Sequence, residues 1–250
     1  TLTAASGTWG PAPVTLAHQW FRSGVAITGA TASTYKLTST DMGKTLTVRV
    51  TGTKSGYTTV AKTSAATATV LGVLTAPTPT VSGTVKAGST LTAAPGTWGP
   101  APVTLAYQWR RAGVAITGAT ASTYTLTGSD TGKAMTVTVT GTKSGYATTA
   151  KTSAATVAVA AGTLTAPTPT ISGTRTVGST LTAVPGTWGP APVTLAYQWF
   201  RSGVAITGAT ASSFALTTTD RGKTLTVRVT GTKTGYTSVA RTSAATTAIG

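Results

Sequence analysis

Trp9, Trp98 and Trp188 each stand in the string Gly-Thr-Trp-Gly-Pro-Ala-Pro-Val-Thr-Leu-Ala, 89 and 90 residues apart. Trp20, Trp109 and Trp199 recur at the same two spacings. A fixed internal period means one folding unit written out several times, and it outranks a length of 250 residues as a guide to domain count. A unit of about 90 residues is large enough to enclose an apolar core of its own. The period places a complete copy over 73–161 and another over 162–250, with a shorter copy over 1–72. Thr1-Leu2 aligns with Thr90-Leu91, so the shorter copy lacks the first strand and the Pro-rich approach to it. That leaves a sheet edge unpaired, to be filled by upstream sequence or by another chain. An opening at Thr1 without Met or a signal-like segment reads as an excerpt or a processed product.

Within the second copy, Ala76-Pro77-Thr78-Pro79 is a stiff, extended linker, because each proline fixes its own φ and biases the residue before it. It leads into expected strands at Thr80–Val85 and Ser89–Ala94. In Thr104–Arg110 the side chains alternate, with Leu105, Tyr107 and Trp109 on one face and Ala106, Gln108 and Arg110 on the other. A short strand around Val114 and Ile116 and another around Tyr124 and Leu126 follow. Asp130-Thr131-Gly132 is a turn with a side-chain acceptor and a glycine. Ala134–Thr142 carries the clearest alternation, and Ala147–Val159 reads as the last strand. Seven short strands separated by turn signals, with no sustained helical period, predict an all-β chain of tandem β-sandwiches without disulfides. The expected core comprises Trp20, Trp109 and Trp199 with Leu46, Val48, Met135, Val137, Leu225 and Val227.

Little in this chain is suited to chemistry. There is no cysteine, no asparagine and no glutamate, and Asp41, Asp130 and Asp220 are the only carboxylate side chains. General acid–base or paired-carboxylate catalysis needs two titratable groups side by side, and one aspartate per copy does not supply them. Calcium asks for six to eight oxygens, usually several from carboxylates. No enzyme activity, metal or cofactor is expected, and the aspartates read as turn residues accepting backbone N–H groups. His18 aligns with Tyr107 and Tyr197, so it belongs to no repeated site and reads as structural. The net charge of +16 arises because acids are scarce, 19 Lys and Arg being an ordinary number. The bases are scattered, with Arg110-Arg111 the sole adjacent pair, so no nucleic-acid partner is expected. No run of about 18 apolar residues exists to span a membrane.

The run Tyr-Gln-Trp on the third strand, then Ser-Thr-Tyr-Thr-Leu-Thr-Gly-Ser-Asp-Thr-Gly-Lys entering Ala-Met-Thr-Val-Thr-Val-Thr-Gly-Thr-Lys-Ser-Gly-Tyr, resembles bacterial immunoglobulin-like tandem repeats. Such repeats occur in surface proteins of GC-rich Gram-positive bacteria, and the resemblance extends over essentially the whole chain. It implies that Trp20, Trp109 and Trp199 are the buried strand-C tryptophans and that Asp-x-Gly is the turn before strand F. The usual disulfide is missing, so apolar packing alone must hold the sheets together. An extracellular or cell-surface setting goes with the resemblance.

The remaining aromatics leave several readings open. Trp9, Trp98 and Trp188 lie among Gly and Pro, where a ring can fold over its own sandwich, touch a neighbouring copy, or stand exposed as a sugar-stacking platform. Tyr57, Tyr146 and Tyr236 read as caps on the sandwich ends, and Lys54, Lys143 and Lys233 as solvated cations. Phe21 and Phe200, with Arg110 in their place in the second copy, face outward and are candidates for contacts between copies or chains. Two functions are carried forward. One is a structural stalk or fibre of rigid beads, each about 30–35 Å long, whose partners are neighbouring repeats or identical chains. The other is an adhesion module binding cell-wall or other polysaccharide through the loop tryptophans, with avidity from repetition.

Overall fold

A computed structural model describes all 250 residues, and every regular element longer than three residues is a strand. By proximity the chain forms two compact units. One comprises Thr1–Thr78, Pro95–Ala106 and Val139–Lys151, and the other Pro79–Ala94, Tyr107–Thr138 and Thr152–Gly250. The division passes through the second copy.

The second unit contains the whole third copy, which displays the strand pattern most fully. Thr170–Ser172, Thr180–Val184 and Ser213–Ala215 form one antiparallel sheet. Val204–Ala205, Thr194–Arg201, Leu225–Thr232 and Val239–Thr242 form the facing sheet in that order. This is the strand arrangement of an immunoglobulin-like sandwich. Leu225, Val227 and Val229 are buried while the residues between them are not, as strict alternation in a half-buried strand requires. Trp199 lies opposite Val227 in the register, is fully buried, and stacks on Phe214 with ring centroids 5.7 Å apart. Its indole N–H donates to the Ala211 carbonyl at 3.0 Å, so the one polar atom of the ring is satisfied. Taking an indole out of water contributes about 5 kcal/mol, from roughly 200 Å² of surface at about 25 cal/mol/Å². No disulfide supplements this packing.

The same unit holds the core of the second copy, where Leu91, Ala93, Trp109, Leu126, Met135, Val137 and Val159 are buried together. Val81 and Val85, from the segment entering this copy, pack over that cluster. In the first unit, the first copy pairs Leu2–Thr3 with Thr34–Tyr35 and builds a four-strand sheet around Thr15–Arg22 and Leu46–Thr53. Trp20, Val48 and Val50 form its core, with Leu2, Trp9, Leu16, Ile27 and Tyr35 packed against it.

The last strand is shorter than Ala147–Val159, the span that alternation suggests. It runs only over Thr149–Thr152. Beyond it the chain approaches its neighbour every third residue, at Ser153, Thr156 and Val159, whose amides donate to the carbonyls of Val137, Met135 and Lys133. The Ser153 hydroxyl accepts the Val137 amide at 3.1 Å and the Thr156 hydroxyl accepts the Met135 amide at 3.0 Å. Each hydroxyl then donates to the carbonyl that follows it, from Ala154 and Val157. Side-chain oxygens have replaced backbone acceptors, so the ladder continues while regular pairing stops. Ser64 and Thr67 do the same in the first copy, and Ser243 and Thr246 in the third.

Candidate functional site

Each aspartate ends a single 3-10 turn, over Ser39–Asp41, Gly128–Asp130 and Thr218–Asp220, and its carboxylate is fully buried. Asp130 Oδ2 accepts the Thr127 amide at 2.6 Å and the Thr127 hydroxyl at 2.8 Å. Asp130 Oδ1 takes Arg111 Nε at 2.6 Å. The corresponding arginines are Arg22 on Asp41 at 2.7 Å and Arg201 on Asp220 at 2.6 Å. Tyr35 and Tyr124 add a phenol hydrogen bond to their aspartates, at 3.2 Å each, whereas Phe214 occupies that position in the third copy. Burial pushes each carboxyl upward, but the threonine amide, the arginine guanidinium and the threonine hydroxyl together outweigh it. All three aspartates are held below the ordinary carboxylate value.

Turn acceptors the aspartates are, but the sequence reading did not find their arginines. The signal was present: an arginine 19 residues before the sole acid in every copy, at the inner end of the third strand. Each carboxylate is thus enclosed in its own turn and paired with one arginine, with no exposure to solvent. No three His, Cys, Asp or Glu side chains come together in the molecule. His18 lies 3.0 Å from the Ser6 hydroxyl, within its own copy.

The loop tryptophans fold inward. Trp98 and Trp188 are 7% exposed, so the reading that offers them as a sugar platform is corrected at both positions. Their indole N–H groups donate to the Pro95 and Pro185 carbonyls at 3.0 Å, and their rings lie flat on Gly141 and Gly231, where any Cβ would overlap the indole. The lysines expected to be free cations anchor these loops. Lys143 Nζ donates to the Pro102 carbonyl at 3.0 Å, and Lys233 Nζ reaches both Ala191 and Pro192. Lys54 binds the carbonyls of Pro11 and Ala12 in the same way. Trp9 is the exception among the three indoles, half-buried beside a groove of about 410 Å³.

Phe21, Arg110 and Phe200 find partners in their own sheets. The Arg49 guanidinium lies 5.3 Å from the Phe21 ring and that of Arg228 lies 5.4 Å from Phe200, both cation–π contacts. In the second copy both members change together, and Arg110 Nε donates to the Thr138 hydroxyl at 3.1 Å.

Tyr146 and Tyr236 serve a different end from simple caps. In the first unit Gly72 exchanges backbone hydrogen bonds with Gly145 and Ala147, and the Tyr146 ring lies where a Gly72 side chain would be. In the second unit Gly162 meets Tyr236 identically, as part of a short parallel ladder. The chain then buries Leu74 and Leu164, 4% and 8% exposed. The Pro-rich approach is therefore a bound element, held by glycine, tyrosine and leucine at fixed positions.

No family model matches this sequence, and no curated protein does. Among solved structures, the chain is similar to the three N-terminal domains of the Highly Immunogenic Outer Capsid protein (Hoc) of bacteriophage RB49. That similarity has a TM-score of 0.33 and 16% identity, covering 96% of this chain and 90% of that one.

Proposed function

We propose that the chain is a structural stalk or fibre-forming segment of a secreted or cell-surface protein, projecting or assembling other parts without catalysing. The observation that carries this reading is the engagement of each joint: Gly72, Leu74 and their counterparts Gly162 and Leu164 are bound by the copy they lead into. Binding of these residues shortens the stretch of chain left free between copies, in contrast to a solvated flexible linker. The resemblance to bacterial immunoglobulin-like surface repeats supports an extracellular setting, and no helix is long and apolar enough to cross a membrane. The full use of every carboxylate inside the fold supports a non-enzymatic role.

Solution scattering tests the proposal. An elongated particle with a maximum dimension of about 90–100 Å is expected from three beads of about 30–35 Å each. A compact envelope would defeat the stalk reading. Polysaccharide binding, with its loss on Trp9→Ala in a folded chain, would favour adhesion.

A further inference from the structure

We propose that the hairpin corner beside each buried arginine–aspartate pair is a site for one acidic sugar unit, so that the repeats together hold an anionic polysaccharide. The third copy shows the corner most openly. Thr194–Arg201 turns back into Val204–Ala205 through Ser202 and Gly203, both left-handed at φ 45° and 83°. The Ser202 amide donates to the Thr224 carbonyl at 2.8 Å, which draws the turn against the residue that follows Lys223. Arg201, Ser202, Val204, Ile206, Thr207 and Lys223 line a hollow of about 420 Å³ at this corner.

Each group in the hollow suits a charged sugar. Arg201 commits Nε to Asp220, and with Phe214 in place of a tyrosine its terminal nitrogens have no protein acceptor. The arginine side chain is 29% exposed, so those N–H groups can donate to a carboxylate or a sulfate. Lys223 is exposed at the same corner and pairs with no carboxylate. Val204, 72% exposed, and Ile206 offer an apolar wall to the C–H face of a sugar ring. The Ser202 and Thr207 hydroxyls complement the hydroxyls of the ring.

The arrangement occurs in every copy. Residues 22–28 with Lys44, and residues 111–117 with Lys133, form the same hairpin. Ser23 and Ala112 have φ 44° and 45°, and their amides donate to the Thr45 and Ala134 carbonyls at 2.9 Å. Val25 and Val114 are each 72% exposed, as Val204 is. Asp41, Asp130 and Asp220 are the only side-chain acids and have no exposure, so no carboxylate side chain on the surface repels an anionic polymer. A nucleic-acid strand would gain from bases stacked on aromatic rings, and the corner has none. Linked sites bind a polymer far more tightly than one sugar unit. The inference is independent of the stalk reading, because each site lies within one copy, and it uses none of the loop tryptophans.

The test uses the full chain with polygalacturonate, dextran sulfate, neutral dextran and polyuridylate. At least one acidic polysaccharide is expected to bind and neutral dextran is not, with binding at least tenfold weaker in about 0.5 M salt. The carboxylate and sulfate polymers show which acidic group the site takes. The triple change Lys44→Gln, Lys133→Gln and Lys223→Gln is expected to weaken binding at least fivefold. The matched change Lys62→Gln, Lys151→Gln and Arg241→Gln removes as many charges, one in each copy, and is expected to weaken it less than twofold. All six positions are exposed, and thermal melts check that both variants fold. Trp9→Ala is expected to leave binding unchanged. The proposal is overturned if neither acidic polysaccharide binds, if the two triple variants lose affinity equally, or if Trp9→Ala abolishes binding. Tighter binding of polyuridylate with the same lysine dependence would overturn it as well, by making nucleic acid the partner.

Discussion

Arg111 Nε lies 2.6 Å from Asp130 Oδ1, joining a guanidinium about a third exposed to a carboxylate with no exposure at all. The pair ties the end of the third strand to the turn that precedes the sixth, the two segments that set the spacing of the sandwich at that end. Asp130→Ala removes the acceptor for Arg111 and for the Thr127 amide together. The arginine can rehydrate, so the expected loss is about 2–3 kcal/mol and not the larger figure for two wholly buried charges. Urea denaturation of Asp130→Ala beside the parent checks this, and a loss below about 1 kcal/mol would mean the turn stands without its carboxylate.

Acid should weaken the fold in a defined window. Because the three aspartates have folded pKa values below the ordinary one, the unfolded chain binds more protons as the pH drops past about 4. Their contribution is complete above that value and is lost as pH falls through the folded values. The urea midpoint is expected to stay level between about pH 7 and 5 and to decline below about pH 4. Replacing all three aspartates with Asn should lower the midpoint at neutral pH and flatten the decline, which a pH series of melts would reveal.

Ser153→Ala should cost about 1–3 kcal/mol although it removes a single oxygen, because it leaves the Val137 amide buried without its hydroxyl partner. Hydrogen exchange at the Val137 amide, faster in the variant, distinguishes this cause from general loosening. Thr156→Val should act similarly through Met135.

Gly141→Ala is expected to displace the Trp98 ring, since the new methyl would occupy the space of the indole. Overpacking of this kind costs about 1–3 kcal/mol. The fluorescence of Trp98 should move to the red as the ring gains solvent, and an unshifted spectrum would contradict the packing described.

Tyr124→Phe should be nearly silent, within about 1 kcal/mol. Phe214 already occupies the same position over Trp199 with an equivalent stack, and only a 3.2 Å phenol bond to the aspartate would be lost. Thermal melts of Tyr124→Phe and the reverse change Phe214→Tyr measure both sides of that exchange.

The repeat, the strands and the all-β class were legible along the chain because each is local. Alternation at Leu225, Val227 and Val229 reports a half-buried strand wherever it occurs, and Gly, Pro and Asp mark the turns. The last strand misled because its composition fits a strand, while the hydroxyls of Ser153 and Thr156 capture the amides that regular pairing would use. A side chain's choice between water and a backbone amide depends on the neighbour's position, which composition does not encode.

Trp9, Trp98 and Trp188 have one sequence context, yet Trp98 and Trp188 are buried while Trp9 is half-buried and borders a groove. The order of residues established how often the unit recurs and which faces of its strands turn inward, since both follow from spacing along the chain. Folding in three dimensions settled which arginine meets each aspartate and which glycine lies under Tyr146 and Tyr236. Those contacts join residues far apart in the chain, and their energy comes from burial and desolvation, which exist only once the sheets have met.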